Sequence, residues 1–445
     1  MWHTPPAFVC AEGLIHLENQ TIDMTLPRGV ADYLPARGGQ LAALEQKVLQ
    51  IAARWGFQRV VPPALEFEDV LAIGMGDGLR ARTFRFDDWQ SGRLLAIPPD
   101  ITPQIARIVA TRLKAQPLPY RISYSGRVLR HAELQSGRSR EIMQAGVELI
   151  GLDSPEADAE MVAMAIEVMQ AVGLQNVKVD LGQVAFCQGI FSAAGLQGEP
   201  LKQLREAVSL KDVSSVARLL KRTPVSVVAQ QELLALPRLF GGCEILEEAA
   251  RVVRNPQSLA ALANIREVIA ILALHGVQDC LTIDLGETRG LDYHTGLTFE
   301  GFVAGLGEAL FSGGRYDGLT ARYGLEAPAT GFTCNLLSLM QALEMQGVVS
   351  EESRDLLVFA TDADHCREAL EVSREMRTRG YSAARDSSKR DLAASLQYAC
   401  KVGIKAVLAV GGQDQAHTYR LIRAAGGAEQ QLNNVALRQL YPAKA

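Results

Sequence analysis

From Asp284 to Asp317 the chain reads Asp-Leu-Gly-Glu-Thr-Arg289-Gly-Leu-Asp-Tyr293-His294-Thr-Gly, then Leu-Thr-Phe-Glu-Gly-Phe, and ends in Ser312-Gly-Gly-Arg-Tyr-Asp317. Leu297, Phe299, Gly301 and Val303 alternate like one face of a pleated strand. Gly305-Leu-Gly307 supplies a hairpin bend, and Gly313-Gly314 lets backbone approach backbone or ligand. The stretch therefore predicts a strand pair around a pocket, from which one arginine, two aromatics and one histidine project. In the plainer alternative, these polar groups only satisfy one another inside a β-core.

At 445 residues and 48% hydrophobic, the chain is long enough for two or three globular domains. Its net charge of −5 lacks the basic footprint of a nucleic-acid-binding protein. Nucleic acid is thus not an expected partner. Seven cysteines stand singly, without a CxxC pair or zinc-ligand spacing, which implies reduced thiols in a cytoplasm and no metal. No apolar run is expected to reach the ~18 residues of a membrane span, and the N-terminus does not read as a signal peptide. Residues 1–23 are expected to be a flexible tail.

Helical spacing marks Leu41 to Trp55, with Leu41, Leu44, Val48 and Ile51 on one face. Short strands are expected at 57–61, 83–87, 94–97, 120–124 and 128–130, and a longer one at 141–151. Helices are expected at 103–114, with Thr102 as N-cap, and at 156–172. Leu- and Ala-rich helices from about 186 to 277 form an insertion into an α+β core that resumes at Leu281 and closes with helix 336–346. Residues 347–355 read as a linker. Beyond it, strands and helices alternate through 356–410, as in a small α/β domain with a largely parallel sheet. From Asp355 onward, 13 basic residues stand against 10 acidic ones, an excess too small to imply RNA binding and too positive to exclude it.

Four further segments carry polar groups unsuited to a plain core: Asp100-Ile-Thr102, Arg130-His131, Ser136-Gly-Arg138-Ser-Arg140 and Gln144-Ala-Gly-Val-Glu148. Gln144 and Glu148 are four apart, so on a strand they face the same way. A small zwitterion with a second basic head would suit this set. An ammonium needs acceptors such as Asp100, Thr102 and Gln144, a carboxylate needs arginine, and an imidazole needs Glu148 and a tyrosine hydroxyl. Histidine is one such ligand. A satisfied hydrogen bond or a solvated face remains the alternative for each residue taken singly.

Pro27-Arg-Gly-Val-Ala-Asp-Tyr-Leu-Pro35, the Gln144–Glu148 segment, Arg289-Gly-Leu-Asp-Tyr-His294 and Ser312-Gly-Gly-Arg-Tyr-Asp-Gly318 together resemble histidyl-tRNA synthetase over nearly everything from Met24 onward. The resemblance implies an α+β, class II synthetase-like antiparallel sheet flanked by helices, and an anticodon-binding-like C-terminal domain at 356–445. The departures point to a paralogue. Ala132 stands where the second class II motif needs an acid, with Glu133 one step along on the opposite strand face. In Gly331-Phe-Thr-Cys-Asn335-Leu-Leu-Ser338, serine replaces the arginine that would face ATP. A hydroxyl brings neither charge nor a bidentate fork.

With Pro98-Pro-Asp100-Ile-Thr102-Pro-Gln-Ile-Ala-Arg107 and Gly126-Arg-Val-Leu-Arg130, the chain is similar to the regulatory subunits of ATP phosphoribosyltransferase. That resemblance implies a subunit without chemistry or cofactor of its own. It would activate a short-form catalytic subunit in the first step of histidine biosynthesis, pass on feedback by histidine, and form a homodimer within a hetero-oligomer. Carried over by position, Asp100, Thr102 and Gln144 hold the amino group, Glu148 and Tyr293 the imidazole, and Arg289 the carboxylate, while Arg130 and His294 are further candidates. A histidyl-tRNA synthetase and a stand-alone histidine sensor are the competing readings.

Overall fold

The computed structural model describes residues 14–17, 20–23, 25–131, 139–288, 294–348, 354–388, 390–414, 417–426 and 429–444. The chain divides into two compact units, Met1–Val349 and Ser350–Ala445. In the stretch read as a tail, Leu14–Leu17 and Gln20–Asp23 pair as an antiparallel ladder.

The first unit is built on a nine-stranded sheet. Its spatial order is Phe240–Gly241, Leu281–Asp284, Lys178–Gln183, Leu297–Phe302, Phe311–Arg315, Ala329–Asn335, Glu141–Ile150, Tyr120–Leu129 and Gln58–Arg59. The ladders are antiparallel except where Leu281–Asp284 meets Lys178–Gln183 and where Gln58–Arg59 meets Tyr120–Leu129. This is the expected sheet flanked by helices, with two differences of detail. The strands anticipated at 120–124 and 128–130 are one strand, because all ten of its residues find partners on Glu141–Ile150. Lys178–Gln183 was not foreseen as a strand. Asp180 and Gly182 weaken its local β signal, and pairing on both edges supplies what propensity does not.

Helix Pro35–Arg54 buries Leu41, Leu44, Val48 and Ile51 as the spacing predicts. Helix Pro155–Ala171, capped by Ser154 accepting from the Ala157 N–H, is almost wholly apolar on its sheet side. Both join one large core together with the inner faces of the central strands and the insertion. Phe299, Phe311 and Phe332, on three adjacent strands, contact one another with ring centroids 6.2 to 6.4 Å apart. The insertion contains Leu- and Ala-rich helices as anticipated, at Gly198–Ser209, Val213–Leu220, Val227–Ala235, Glu244–Val252 and Pro256–Leu274, and opens with a further helix, Val184–Ala193.

Contrary to the expectation from the sequence, one helix, Pro256–Leu274, is long and apolar enough to cross a membrane by length and composition. Its Leu262, Ile265, Val268 and Leu272 are buried in the core of this unit, and Arg266 and Glu267 interrupt its middle.

A small sheet of Glu66–Phe67, Leu94–Ile97 and Phe84–Asp87 lies outside the main one. From it the chain enters helix Thr102–Ile108, which continues as a π-helical turn over Val109–Leu113. Thr102 is the first residue of this helix rather than its cap, and no side chain caps the end.

The second unit holds three parallel strands, with Arg354–Ala360 between Ala383–Arg385 and Ile404–Asp414. The expectation of a largely parallel sheet stops there. His417–Arg423 and Glu429–Leu432 continue the sheet antiparallel, and helix Asn434–Leu440 follows.

Candidate functional site

A cavity of about 300 Å³ opens over the central sheet of the first unit, with Asp100, Thr102, Glu148, His294 and Tyr316 among its lining residues. Glu148 lies at its floor, 1% exposed. Both carboxyl oxygens are engaged. Oε1 accepts from the Thr102 hydroxyl at 2.7 Å and the Tyr124 hydroxyl at 3.0 Å, and Oε2 accepts from the Tyr316 hydroxyl.

The sheet register explains this convergence. Tyr124 pairs directly with Gly146, two residues from Glu148 on the same face, so its ring crosses the glycine and its hydroxyl reaches the carboxylate. A Cβ on Gly146 would come within 2.8 Å of that hydroxyl. Across the other edge Glu148 pairs with Gly331, where a Cβ would stand 1.9 Å from Oε2. Any side chain at position 331 would occupy the space of the carboxylate.

Beside this cluster, Asp100 is held by its neighbours. Its Oδ1 accepts from the Thr102 N–H at 3.1 Å and its Oδ2 from Arg130 at 2.9 Å. Arg130 also donates to the Pro99 carbonyl at 2.7 Å. Gln144 is 3% exposed, accepts from the Ile101 N–H at 3.1 Å, and turns its amide toward Asp100 at 3.5 Å. Gln144 and Glu148 thus do share one face of their strand. Gln144 and Arg130, however, are not among the cavity-lining residues and instead buttress the Asp100 loop. His294 does line the cavity. Arg289 and Tyr293 lie outside the described residues, as do Ala132, Glu133 and Arg138.

Burial pushes the Glu148 carboxyl up to about 8, with the hydroxyls of Tyr316, Thr102 and Tyr124 pulling part of the way back and the Asp100 charge adding to the rise. The Tyr124 hydroxyl is raised well above its usual value, first by burial and then by Glu148. A protonated Glu148 can donate a hydrogen bond at neutral pH, and a cation placed beside it would draw it back toward the carboxylate. Besides Asp100 and Glu148, the cavity is lined by Asp180, Asp284, Glu287 and Glu300, and no lysine or arginine lines it among the described residues. Asp284 is paired with Lys211 at 2.5 Å and Asp100 with Arg130 at 2.9 Å. A lining this rich in carboxylates favours a ligand with N–H donors over a polyphosphate.

Two residues escaped the reading of the sequence. Tyr124 looked like one aromatic in a short strand, and Tyr316 was masked by the general specificity of its Ser-Gly-Gly-Arg-Tyr-Asp segment. Arg315 in that segment is structural. It is 6% exposed and reaches Asp158 at 3.0 Å, Asp317 at 3.1 Å and the Leu152 carbonyl at 3.1 Å, tying strand Phe311–Arg315 to helix Pro155–Ala171. Ser338 is fully buried and donates to Glu308 at 2.7 Å, without lining the cavity.

The family of histidyl-tRNA synthetases matches residues 29–339 of this chain. An ATP phosphoribosyltransferase regulatory subunit of Geobacter sulfurreducens is 57% identical over 92% of this chain and 94% of its own length. The chain belongs to the ATP phosphoribosyltransferase regulatory subunits. A relative of the same description from Syntrophotalea carbinolica is 49% identical over 92% of this chain and 95% of its own length. A solved structure from Bacillus halodurans, described as an ATP phosphoribosyltransferase regulatory subunit/histidyl-tRNA synthetase, superposes with a TM-score of 0.75 at 27% identity over 87% of this chain and 98% of that one. A histidyl-tRNA synthetase from Nostoc gives a TM-score of 0.80 at 21% identity over 94% of this chain and 98% of that one, a likeness of fold. Family membership accounts for the synthetase-like core.

Proposed function

We propose that this chain is a non-catalytic subunit that binds histidine in the Glu148 cavity and uses it to regulate a short-form ATP phosphoribosyltransferase catalytic subunit in the cytoplasm. The observation that carries the reading is the pairing of an intact polar floor with an acidic wall. Thr102, Tyr124 and Tyr316 orient Glu148 beside Asp100, while Ser338 is turned to Glu308. Glu148 receives an imidazole N–H and Asp100 the ammonium. Arg289 and Tyr293 complete the site, with Arg289 on the ligand carboxylate. Gln144 and Arg130 act one step back, fixing Asp100.

Adenylation needs a positive clamp on the triphosphate, and neither Ser338 nor the acidic wall can serve as one. Feedback requires histidine to bind the active and inhibited assemblies unequally, and a coupling of about 1 to 3 kcal/mol is typical of allosteric pairs. Histidine at about 100 times its dissociation constant should stabilise the protein by about 2.7 kcal/mol and raise its melting temperature. Glu148→Ala should abolish that rise, and an unchanged rise in the variant would place histidine elsewhere. Adding the purified chain to a short catalytic subunit should raise phosphoribosyltransferase activity. Robust charging of tRNA with histidine in the presence of ATP would overturn the reading in favour of a synthetase.

A further inference from the structure

The second unit carries a cavity of its own, of about 580 Å³, at the carboxyl ends of its parallel strands. Arg354–Ala360 is the middle strand of the three. From it the chain passes to Ala383–Arg385 on one side and then crosses to Ile404–Asp414 on the other. Helix Cys366–Thr378 covers the face bearing Leu356 and Val358, and helix Leu392–Lys401 the face bearing Leu357 and Phe359. Reversal of the winding about a central strand opens a crevice at the strand ends, the usual place for a ligand in open α/β sheets.

Three arginines, Arg385, Arg390 and Arg420, line the crevice. Two of them are committed. Arg390 donates to Ser388 at 2.6 Å and to Asp386 at 3.3 Å, and lies 3.9 Å over the Tyr398 ring. Arg420 is paired with Glu429 at 3.4 Å. Arg385 is different. Among the described residues its buried Nε has no hydrogen-bond partner and no ion pair engages its guanidinium.

The carboxylates nearby are occupied. Asp386 Oδ1 takes the Ser388 N–H and hydroxyl at 3.0 and 2.5 Å, and its Oδ2 takes the Ser395 hydroxyl at 2.6 Å. Asp391 caps the Ala394 N–H at 2.8 Å, and Asp362 holds the Asp364 and His365 N–H groups and the His365 ring. A buried guanidinium nitrogen without an acceptor among the described residues is costly, and on the wall of a crevice it is placed to take an acceptor from a ligand. Helix Leu392–Lys401, ten residues long, also begins at this wall and directs the positive end of its dipole there.

We propose that this crevice is a second, independent ligand site, which takes the phosphoryl group of a small phosphomonoester with Arg385 as its anchor. The fork of Arg385 would hold two phosphoryl oxygens, and the exposed hydroxyl of Ser387 and the N–H groups of Leu392 and Ala393, ahead of the capped Ala394, would serve the others. This site stands on different residues from the Glu148 cavity, so either can fail without the other.

The test is isothermal titration of the full chain with inorganic phosphate and with ribose 5-phosphate, on wild type, Arg385→Gln and Arg385→Lys, each checked for an unchanged circular-dichroism spectrum and melting temperature. The expected result is saturable binding at one site per chain, weakened at least about tenfold by Arg385→Gln, with partial recovery in Arg385→Lys, which keeps the charge but loses the fork. Histidine binding should be unchanged in both variants. Equal affinity in wild type and Arg385→Gln, or no saturable binding in the millimolar range, would overturn the proposal. So would binding confined to a single-stranded oligoribonucleotide, because the crevice would then read a phosphodiester chain instead of a small phosphomonoester.

Discussion

Replacing Glu148 by glutamine should change how the stability of the first unit depends on pH. The folded carboxyl ionises near 8, against 4.5 for an ordinary glutamate, chiefly because it is buried. Between those values the unfolded chain has released this proton while the folded chain retains it, so raising the pH favours unfolding. The contribution of Glu148 is fully present below about pH 4.5 and is lost as the pH climbs through about 8. The interval is worth about 5 kcal/mol in all, and about 2.5 kcal/mol of it falls between roughly pH 6 and pH 9. Glu148→Gln keeps the shape and does not titrate. Urea unfolding followed by tryptophan fluorescence isolates the relevant unit, because Trp2, Trp55 and Trp89 all belong to it. Wild type should lose about 2.5 kcal/mol relative to the variant across that range. Saturating histidine should narrow the difference, since a cation beside the carboxylate lowers its pKa. Parallel pH profiles for the two proteins would refute the account of Glu148 as a group held neutral by burial.

Gly331→Ala should evict the Glu148 carboxylate, because the new methyl would stand 1.9 Å from Oε2. A loss of about 1 to 3 kcal/mol by urea unfolding is expected, together with loss of the histidine-induced rise in melting temperature, and a variant that binds histidine normally would contradict the geometry. Arg315→Leu leaves Asp158 buried without its partner and should cost about 3 to 5 kcal/mol in the same assay. It should also weaken histidine binding through the displaced Tyr316, whereas a loss of stability with histidine affinity intact would mean that Arg315 does not position that hydroxyl.

Part of the candidate site was legible because strands write their facing in a period of two. Gln144 and Glu148 had to point the same way once their segment was a strand, and the structure puts both in the buried layer. Asp100 and Thr102 could be singled out as polar residues in a turn-rich segment, but the role of Thr102 could not. As a helix cap its hydroxyl would have served the backbone, whereas it donates to Glu148, 46 residues away. The two tyrosines were invisible for a related reason. Whether Tyr124 reaches Glu148 depends on the register of two strands, and whether Tyr316 does depends on the path of the chain after Phe311–Arg315. Neither leaves a local signature. In the second unit, the parallel strands followed from their alternation with helices, but the antiparallel pair His417–Arg423 and Glu429–Leu432 did not, since its short, charged strands are stabilised by edge pairing rather than by their own composition.

Residue identity alone settled that no guanidinium stands at position 338, and periodicity alone placed most helices and strands of the core, because both are properties of a residue and its near neighbours. Which polar groups meet was fixed by contacts between distant segments: three hydroxyls on one buried carboxylate, an arginine of the Ser-Gly-Gly-Arg segment spent on a helix, and a guanidinium left without an acceptor in a crevice of the other unit. Hydrogen bonds and burial act across strand pairs and helix faces that the order of the chain does not bring together, and the function proposed here rests on those long-range meetings.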